Sequence, residues 1–161
     1  MPPPPGRRSP LAQAIAAVEA VLAEHPEVGA RRLSDTLWLL VLSGEIRHAI
    51  PVTVRLGERT ALVTSFLLRG PHGDCAALHR VLLRKNAATT RVRFALDGDD
   101  DVILVARLST AALTAEELEA VLGEIMVVSE SSFEPLVHLG YPGVFPPLAR
   151  RPWPAPQTPE R

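Results

Sequence analysis

The stretch 91–108 constrains the fold of this chain most strongly, because it predicts two antiparallel strands joined by a tight acidic turn. Apolar residues alternate with other residues in both halves, as they do in strands with one buried face. If Asp97 pairs with Asp101 across a three-residue loop, the apolar residues of both strands fall on one face, whereas a loop with an even number of residues mixes the faces. The apolar set is Val92, Phe94, Leu96, Val102, Leu104 and Ala106. The opposite face then carries Arg91, Arg93, Ile103, Val105 and Arg107, and we predict the three-residue loop.

Three more strands precede this hairpin. Residues 36–42 are continuously apolar, which predicts a strand covered on both faces. Residues 51–56 alternate between apolar and polar, and 60–68 are rich in Val, Thr and Phe. Gly57, Glu58 and Arg59 separate these two segments as a tight connection. The three segments predict an antiparallel meander.

Two helices are indicated by apolar residues spaced three and four apart. The first covers residues 10–24, with Ser9 as its N-terminal cap. The second covers residues 75–86, where Asp74 caps the start and Asn86 can close the end. Both helices therefore have one apolar side to pack on the sheet.

A third helix begins at Thr114, which forms a capping-box pattern with Glu117. Pro135 is expected to kink this helix or to start a separate turn, and Gly140 ends it. The complete predicted order is α-β-β-β-α-β-β-α. This order predicts an α+β fold in which helices pack on one antiparallel sheet.

Proline divides the chain, because 12 of its 16 prolines fall in residues 1–10 and 142–161. We therefore expect disordered ends over 1–9 and 142–161 and one folded domain over 10–141, with the proline-flanked Trp153 as a possible docking peptide. Cys75 is the only cysteine, which excludes a disulfide framework, and no apolar run is long enough for a signal peptide or a membrane span. We expect a cytoplasmic protein.

Four segments, taken in order, resemble the YbjN-domain family and especially its actinobacterial branch. They are Val81-Leu82-Leu83-Arg84-Lys85-Asn86, Phe94-Ala95-Leu96-Asp97, Val102-Ile103-Leu104-Val105-Ala106-Arg107-Leu108 and Glu130-Ser131-Ser132-Phe133-Glu134-Pro135-Leu136. The resemblance covers roughly residues 30–141. It implies a type III secretion chaperone-like fold, homodimers, and a role in holding segments of partner proteins or in sensory transduction regulation. It implies no catalytic residues.

The chain departs from the family pattern inside the hairpin. Asp100 occupies a position where family members often have glycine, and Ile103 and Ala106 replace residues that are often aromatic and small. The hairpin still fits the pattern, but a ligand shared by the family at its tip is not implied for this chain.

Few residues suggest chemistry. His72, Cys75 and His79 have side chains that bind zinc, but no fourth ligand is near in sequence, and a buried cysteine at a capped helix start is the alternative. The aspartates of 97–101 can hold a hard cation or simply favour a turn. We predict no metal and no cofactor, and we interpret His25, His48 and His138 as isolated residues.

Arg91, Arg93 and Arg107 are the candidate partner-docking residues, since the predicted loop places them on one face. Aromatic residues that would stack on bases do not accompany them, and the net charge is −1, so we predict a protein partner and no nucleic acid or membrane. The function that we favour is a non-enzymatic, homodimeric chaperone-like or regulatory binding domain. The alternative is a small-ligand or metal-binding receptor or enzyme with a pocket between sheet and helices.

Overall fold

A computed structural model of the protein describes residues 9–71 and 74–144. The described parts contain three α-helices, six strands and one short 3₁₀ turn. The helices are α1 (Pro10–Glu24), α2 (Cys75–Asn86) and α3 (Ala115–Gly140), and the turn is Thr110–Ala112. The strands are β1 (Gly29–Ser34), β2 (Leu37–Leu42), β3 (Ile50–Leu56), β4 (Thr60–Leu68), β5 (Arg93–Leu96) and β6 (Val102–Ser109). The proline-rich ends predicted as disordered, including the Trp153 segment, lie outside the described residues except at their inner edges.

The six strands form one sheet in the order β1-β2-β3-β4-β6-β5, and every neighbouring pair is antiparallel. This confirms the predicted α+β class, but the predicted element order lacked β1. All six residues of β1 are exposed, so its sequence lacks the alternation of apolar and polar residues from which a strand is predicted. This strand forms because it pairs with β2, with Arg31 opposite Leu39 and Arg32 opposite Trp38.

The core lies between the helices and one face of the sheet. Every second residue of β2 is fully buried there, and Trp38 and Leu40 are among the largest side chains in the core. Leu37, Leu39 and Val41 are only partly buried on the other face, so the prediction that this strand is covered on both faces was wrong. A continuous apolar run therefore marks an apolar outer surface here.

The β5–β6 hairpin has the predicted phase. Phe94 pairs with Leu104 on the buried face, and Arg93 pairs with Val105 on the other face. The N–H of Asp97 donates to the carbonyl of Asp101 at 3.0 Å, which closes the three-residue loop. The register argument from alternation alone is confirmed.

Each helix begins at its predicted cap. Ser9, Asp74 and Thr114 each accept a backbone N–H from the first turn of their helix. The capping box at Thr114 is only half formed, because the carboxylate of Glu117 accepts a hydrogen bond from Arg91 instead. Helix α3 continues through Pro135 to Gly140 without the separate turn that we considered.

Candidate partner-binding surface

The sheet face that points away from the helices, the open face, is mostly apolar, with the hydrogen-bonded pair Thr53 and Thr64 at its centre. It consists of alternate residues of each strand, and those of its central strands remain only partly buried or exposed. The apolar members are Leu37, Leu39, Val41, Pro51, Leu62, Phe66, Ala95, Ile103 and Val105. A mostly apolar exposed surface of this kind commonly marks a binding site.

Four exposed arginines stand around this centre. Arg55 and Arg107 lie on either side of Leu62, each in register with it on a neighbouring strand. Arg31 lies on the outer strand β1 and Arg93 on the outer strand β5 at the other end of the sheet. None of the six strands contains an aspartate or a glutamate. The open face is therefore both apolar and cationic.

The three arginines that the sequence suggests for docking separate in the structure. Arg93 and Arg107 lie on the open face, as the three-residue loop requires. Arg91 precedes β5, and its Nε donates to Glu117 of α3 at 3.0 Å. Their role in docking stays a prediction, and Arg31 and Arg55 join the same surface although sequence reasoning did not select them.

Glu130 of α3 holds the loop between β2 and β3. Its carboxylate accepts backbone hydrogen bonds from Glu45, Ile46 and Arg47 at 2.9, 2.8 and 2.8 Å. The donors from Ile46 and Arg47 contribute most to lowering the pKa of this carboxyl below its ordinary value. Gly44 permits this approach, since a Cβ there would stand 2.6 Å from Cδ of Glu130.

Glu124, six residues earlier in α3, holds the entry to β5 in the same way. Its carboxylate accepts backbone hydrogen bonds from Thr90, Arg91 and Val92 at 2.6, 2.7 and 3.3 Å. Partial burial opposes its ionisation, but the three donors outweigh it and hold the pKa of the carboxyl below its ordinary value. Two glutamates of one helix thus fix two loops that lead into the sheet.

A cleft of about 330 Å³ opens between α1 and α3, with His25 at its rim. The Nδ1 of His25 lies 3.0 Å from Glu27, and its Nε2 lies 3.2 Å from Glu119. The hydrogen bond to Glu27, followed by the one to Glu119, raises the pKa of His25 above its ordinary value. The prediction that His25 is isolated was wrong. Its pairing with Glu119 could not be seen in the sequence, because the two residues are far apart along the chain. The apolar lining is Val21, Leu22, Val28, Leu42, Leu122 and Met126.

The suggested metal ligands do not assemble in the described parts of the chain. His72 lies outside these parts, and Cys75 is exposed at the start of α2 rather than buried as we expected. His79 lines a small hollow beside Leu82 and Phe94. No group of three or more His, Cys, Asp or Glu side chains among the described residues is arranged to hold a metal ion.

The acidic hairpin turn is occupied by its own hydrogen bonds. Oδ1 of Asp97 accepts from the N–H groups of Asp99 and Asp101 at 2.9 and 3.0 Å. Oδ1 of Asp101 accepts from the N–H of Gly70 at 2.6 Å. Asp100 has a φ of 61°, the only positive φ of a non-glycine residue in the described chain. Glycine adopts this left-handed backbone conformation at the lowest steric cost.

The arrangement of these elements matches known proteins. The YbjN family, whose description reads "Putative bacterial sensory transduction regulator", matches residues 15–137. The chain belongs to the YbjN family. Uncharacterized proteins of Mycobacterium tuberculosis and Mycobacterium bovis are 30% identical over 119 residues, which are 74% of this chain and 63% of each relative.

The mycobacterial similarity agrees with the predicted actinobacterial branch of the YbjN family. An uncharacterized protein of Mycobacterium leprae is 33% identical over 100 residues, which are 62% of this chain and 54% of the relative. The chain thus spans between about half and two thirds of the length of these relatives.

Solved structures share the fold. A chain of the HopA1–SchA chaperone–effector complex has a TM-score of 0.57 at 11% identity, over 78% of this chain and 97% of that one. A chain of the heterodimeric ExoU–SpcU complex from the type III secretion system of Pseudomonas aeruginosa has a TM-score of 0.54 at 17% identity, over 74% and 96%. The predicted type III secretion chaperone-like fold is confirmed. Within the described residues, no helix has the length and apolar character needed to cross a membrane.

Proposed function

We propose that this YbjN protein is a non-enzymatic, chaperone-like or regulatory domain that binds a protein partner on its open face. The single observation that carries the proposal is the open face itself, which is mostly apolar, bordered by arginines on one side and on both outer strands, and only partly buried. The family description as a sensory transduction regulator and the occurrence of the fold in chaperone–effector complexes support the same role. In this proposal the domain acts by binding its partner rather than by catalysing a reaction. We also propose that it is located in the cytoplasm.

Affinity capture from the source cells tests protein binding. The bait is the full chain as wild type, as Val105→Glu in the open face, and as Leu83→Glu on α2. Leu83 is the matched control because it is an apolar residue that is 71% exposed on a helix. We expect one set of proteins with the wild type and L83E that is lost with V105E. Equal recovery by all three baits would remove the open face as the binding site, and no enrichment with the wild type would contradict protein binding.

We further propose that the protein is a homodimer and that α3 supplies the contact. Val127 is 67% exposed on α3, and the neighbouring Ile46 is 48% exposed. The hairpin side of the open face is less suited to a dimer contact, because it carries Arg93 and Arg107, which would repel their copies across a two-fold axis. The α3 patch has no arginine. Of the two glutamates beside it, Glu45 and Glu130, the carboxylate of Glu130 is already held by three backbone N–H groups.

Sedimentation velocity tests the dimer. We expect a species of twice the 17.4 kDa chain mass at micromolar concentration, a monomer for Val127→Glu, and an unchanged dimer for Leu83→Glu. A wild-type monomer over the whole micromolar range would contradict the dimer, and a V127E dimer would exclude α3 as the contact.

The cleft at His25 favours a second candidate function, in which the protein is a small-ligand receptor. Its lining is apolar, while His25 and Glu119 place polar groups at the rim, a combination typical of ligand sites. Native mass spectrometry and elemental analysis of the purified protein decide this. A stoichiometric small molecule or metal would favour the receptor, and a mass equal to the bare chain or its multiples would remove it.

A further inference from the structure

We infer that the partner presents an acidic amphipathic helix to the open face. This inference rests on the proposed function, and it adds the chemical class of the partner segment. The inference follows from the positions of the charged and apolar residues on the open face and from the width of that face.

The open face is graded from a cationic side to an apolar side. One cross-strand row contains Arg55, Leu62 and Arg107, and its arginines stand two strand spacings apart, which is about 10 Å. The adjacent row runs from Arg31 on β1 to Arg93 on β5. The row beyond it has no charged residue and contains Val41, Pro51, Phe66, Ile103 and Ala95. A segment that fits this face has an apolar stripe flanked by negative charge.

The width of the face fits a helix of ordinary length. Six strands span five spacings, or about 24 Å. A helix of about 16 residues has the same length. The opposite face of this sheet is already packed by helices, so a helix on the open face completes a three-layer arrangement of a common kind.

Charge decides between the possible occupants. Arg31, Arg55 and Arg107 form no ion pair within the described residues, and no strand supplies a carboxylate. A second copy of the open face would bring arginines together. The chain's own C-terminal segment carries Arg150 and Arg151 and is repelled in the same way. An acidic segment from another protein is attracted.

A nucleic acid is also acidic, but the centre of the face does not suit it. Single-stranded nucleic acids bind through aromatic side chains on which bases stack. Phe66 is the only aromatic side chain among the strand residues of the open face. Thr53 and Thr64 occupy its centre, and the aliphatic residues Leu39 and Val105 lie on either side of them. Aliphatic surface with arginines beside it favours an amphipathic helix.

Fluorescence anisotropy with defined probes tests the inference. The probes are a labelled 18-residue peptide designed as a helix with a leucine stripe and glutamates elsewhere, the same peptide with lysine for every glutamate, and an 18-nucleotide single-stranded DNA. The full chain is titrated as wild type, Arg55→Glu/Arg107→Glu, and Arg80→Glu/Arg84→Glu. The last variant is the matched control, because both of its arginines are exposed on α2.

We expect the wild type and R80E/R84E to bind the glutamate peptide alike and in preference to the lysine peptide. R55E/R107E is expected to bind it at least about tenfold more weakly, since two attractions become repulsions. Arg55→Gln/Arg107→Gln removes the charges without reversing them and gives a smaller loss. It keeps the test valid if circular dichroism shows that the reversal variant does not fold.

Three results would overturn the inference. They are equal binding of the glutamate and lysine peptides, an unchanged affinity in both open-face variants, and tighter binding of the DNA through the same two arginines. If partner capture depends on Val105 while the glutamate peptide fails to bind, the acidic helix is wrong and protein binding stands. If capture also fails, the proposed function is wrong as well.

Discussion

The side-chain amide of Asn86 forms two hydrogen bonds with the backbone of Phe94. Nδ2 donates to the carbonyl at 3.1 Å, and Oδ1 accepts from the N–H at 2.7 Å. Phe94 lies on β5, at one end of the sheet, where outward backbone groups would otherwise be open to a further strand. Asn86, the last residue of α2, therefore pairs with the outer edge of β5. The sequence had instead predicted that Asn86 closes the helix.

Asn86→Ala tests this contact. Loss of two backbone hydrogen bonds is expected to lower the free energy of unfolding by about 1–2 kcal/mol. Urea denaturation measures this change, and hydrogen exchange at the Phe94 amide localises it, because that amide should exchange faster in the variant. Unchanged protection of the Phe94 amide would show that Asn86 does not hold the edge in solution.

Asp100→Gly is expected to stabilise the protein. Asp100 has a φ of 61°, so glycine removes a steric cost of about 0.5–1 kcal/mol. Asp99→Gly is the control, because Asp99 has no positive φ and glycine there only adds freedom to the unfolded chain. Thermal denaturation should give a higher midpoint for D100G and a lower one for D99G. A lower midpoint for D100G would contradict the left-handed conformation.

Glu124→Gln tests the hydrogen bonds that fix the start of β5. The lowered pKa of Glu124 means that its carboxylate stabilises the fold above its ordinary value of 4.5, and that this contribution is lost as the pH falls through the lower folded value. E124Q should cost about 1–2 kcal/mol at pH 7, since one amide oxygen replaces a carboxylate that serves three N–H groups.

The measurement for E124Q is urea denaturation of both proteins from pH 7 down to pH 3. The difference in unfolding free energy should be greatest at neutral pH and should shrink below pH 4.5. A difference that stays constant over this range would mean that the charge of Glu124 has no role.

His25 should titrate above its ordinary pKa of 6.5, because Glu27 and Glu119 both favour its charged form. The raised value means that its contribution to stability is complete below pH 6.5 and is lost as the pH rises through the folded pKa. Nuclear magnetic resonance of the imidazole protons measures this pKa directly. Glu119→Gln should lower it, and Glu116→Gln on the same helix is the control. An unchanged His25 pKa in E119Q would show that Glu119 does not contact His25 in solution.

The sequence predicts those elements in which a local pattern repeats. Alternation along 91–108 was enough to predict the hairpin, its phase and the positions of Arg93 and Arg107, because a slip of one residue would have reversed both faces. Helix caps at Ser9, Asp74 and Thr114 were also local, since each cap bonds within one turn.

Contacts between distant residues were not predictable in this way. Glu119 meets His25 across 94 positions of sequence, and Glu124 meets Thr90 across 34. Strand β1 has no buried residue, so only its pairing with β2 reveals it and brings Arg31 to the open face. Most of the fold was therefore predictable from the sequence, but only part of the binding surface was.

Photo-crosslinking in the source cells tests protein binding on the open face most directly. Val105 in the open face, or Leu83 on α2 as control, is replaced by the photoreactive amino acid p-benzoylphenylalanine in the full chain. We predict light-dependent adducts with another protein from position 105 and none above background from position 83. Adducts from position 105 that are no more abundant than those from position 83, or that contain only a second copy of this chain, would contradict the account.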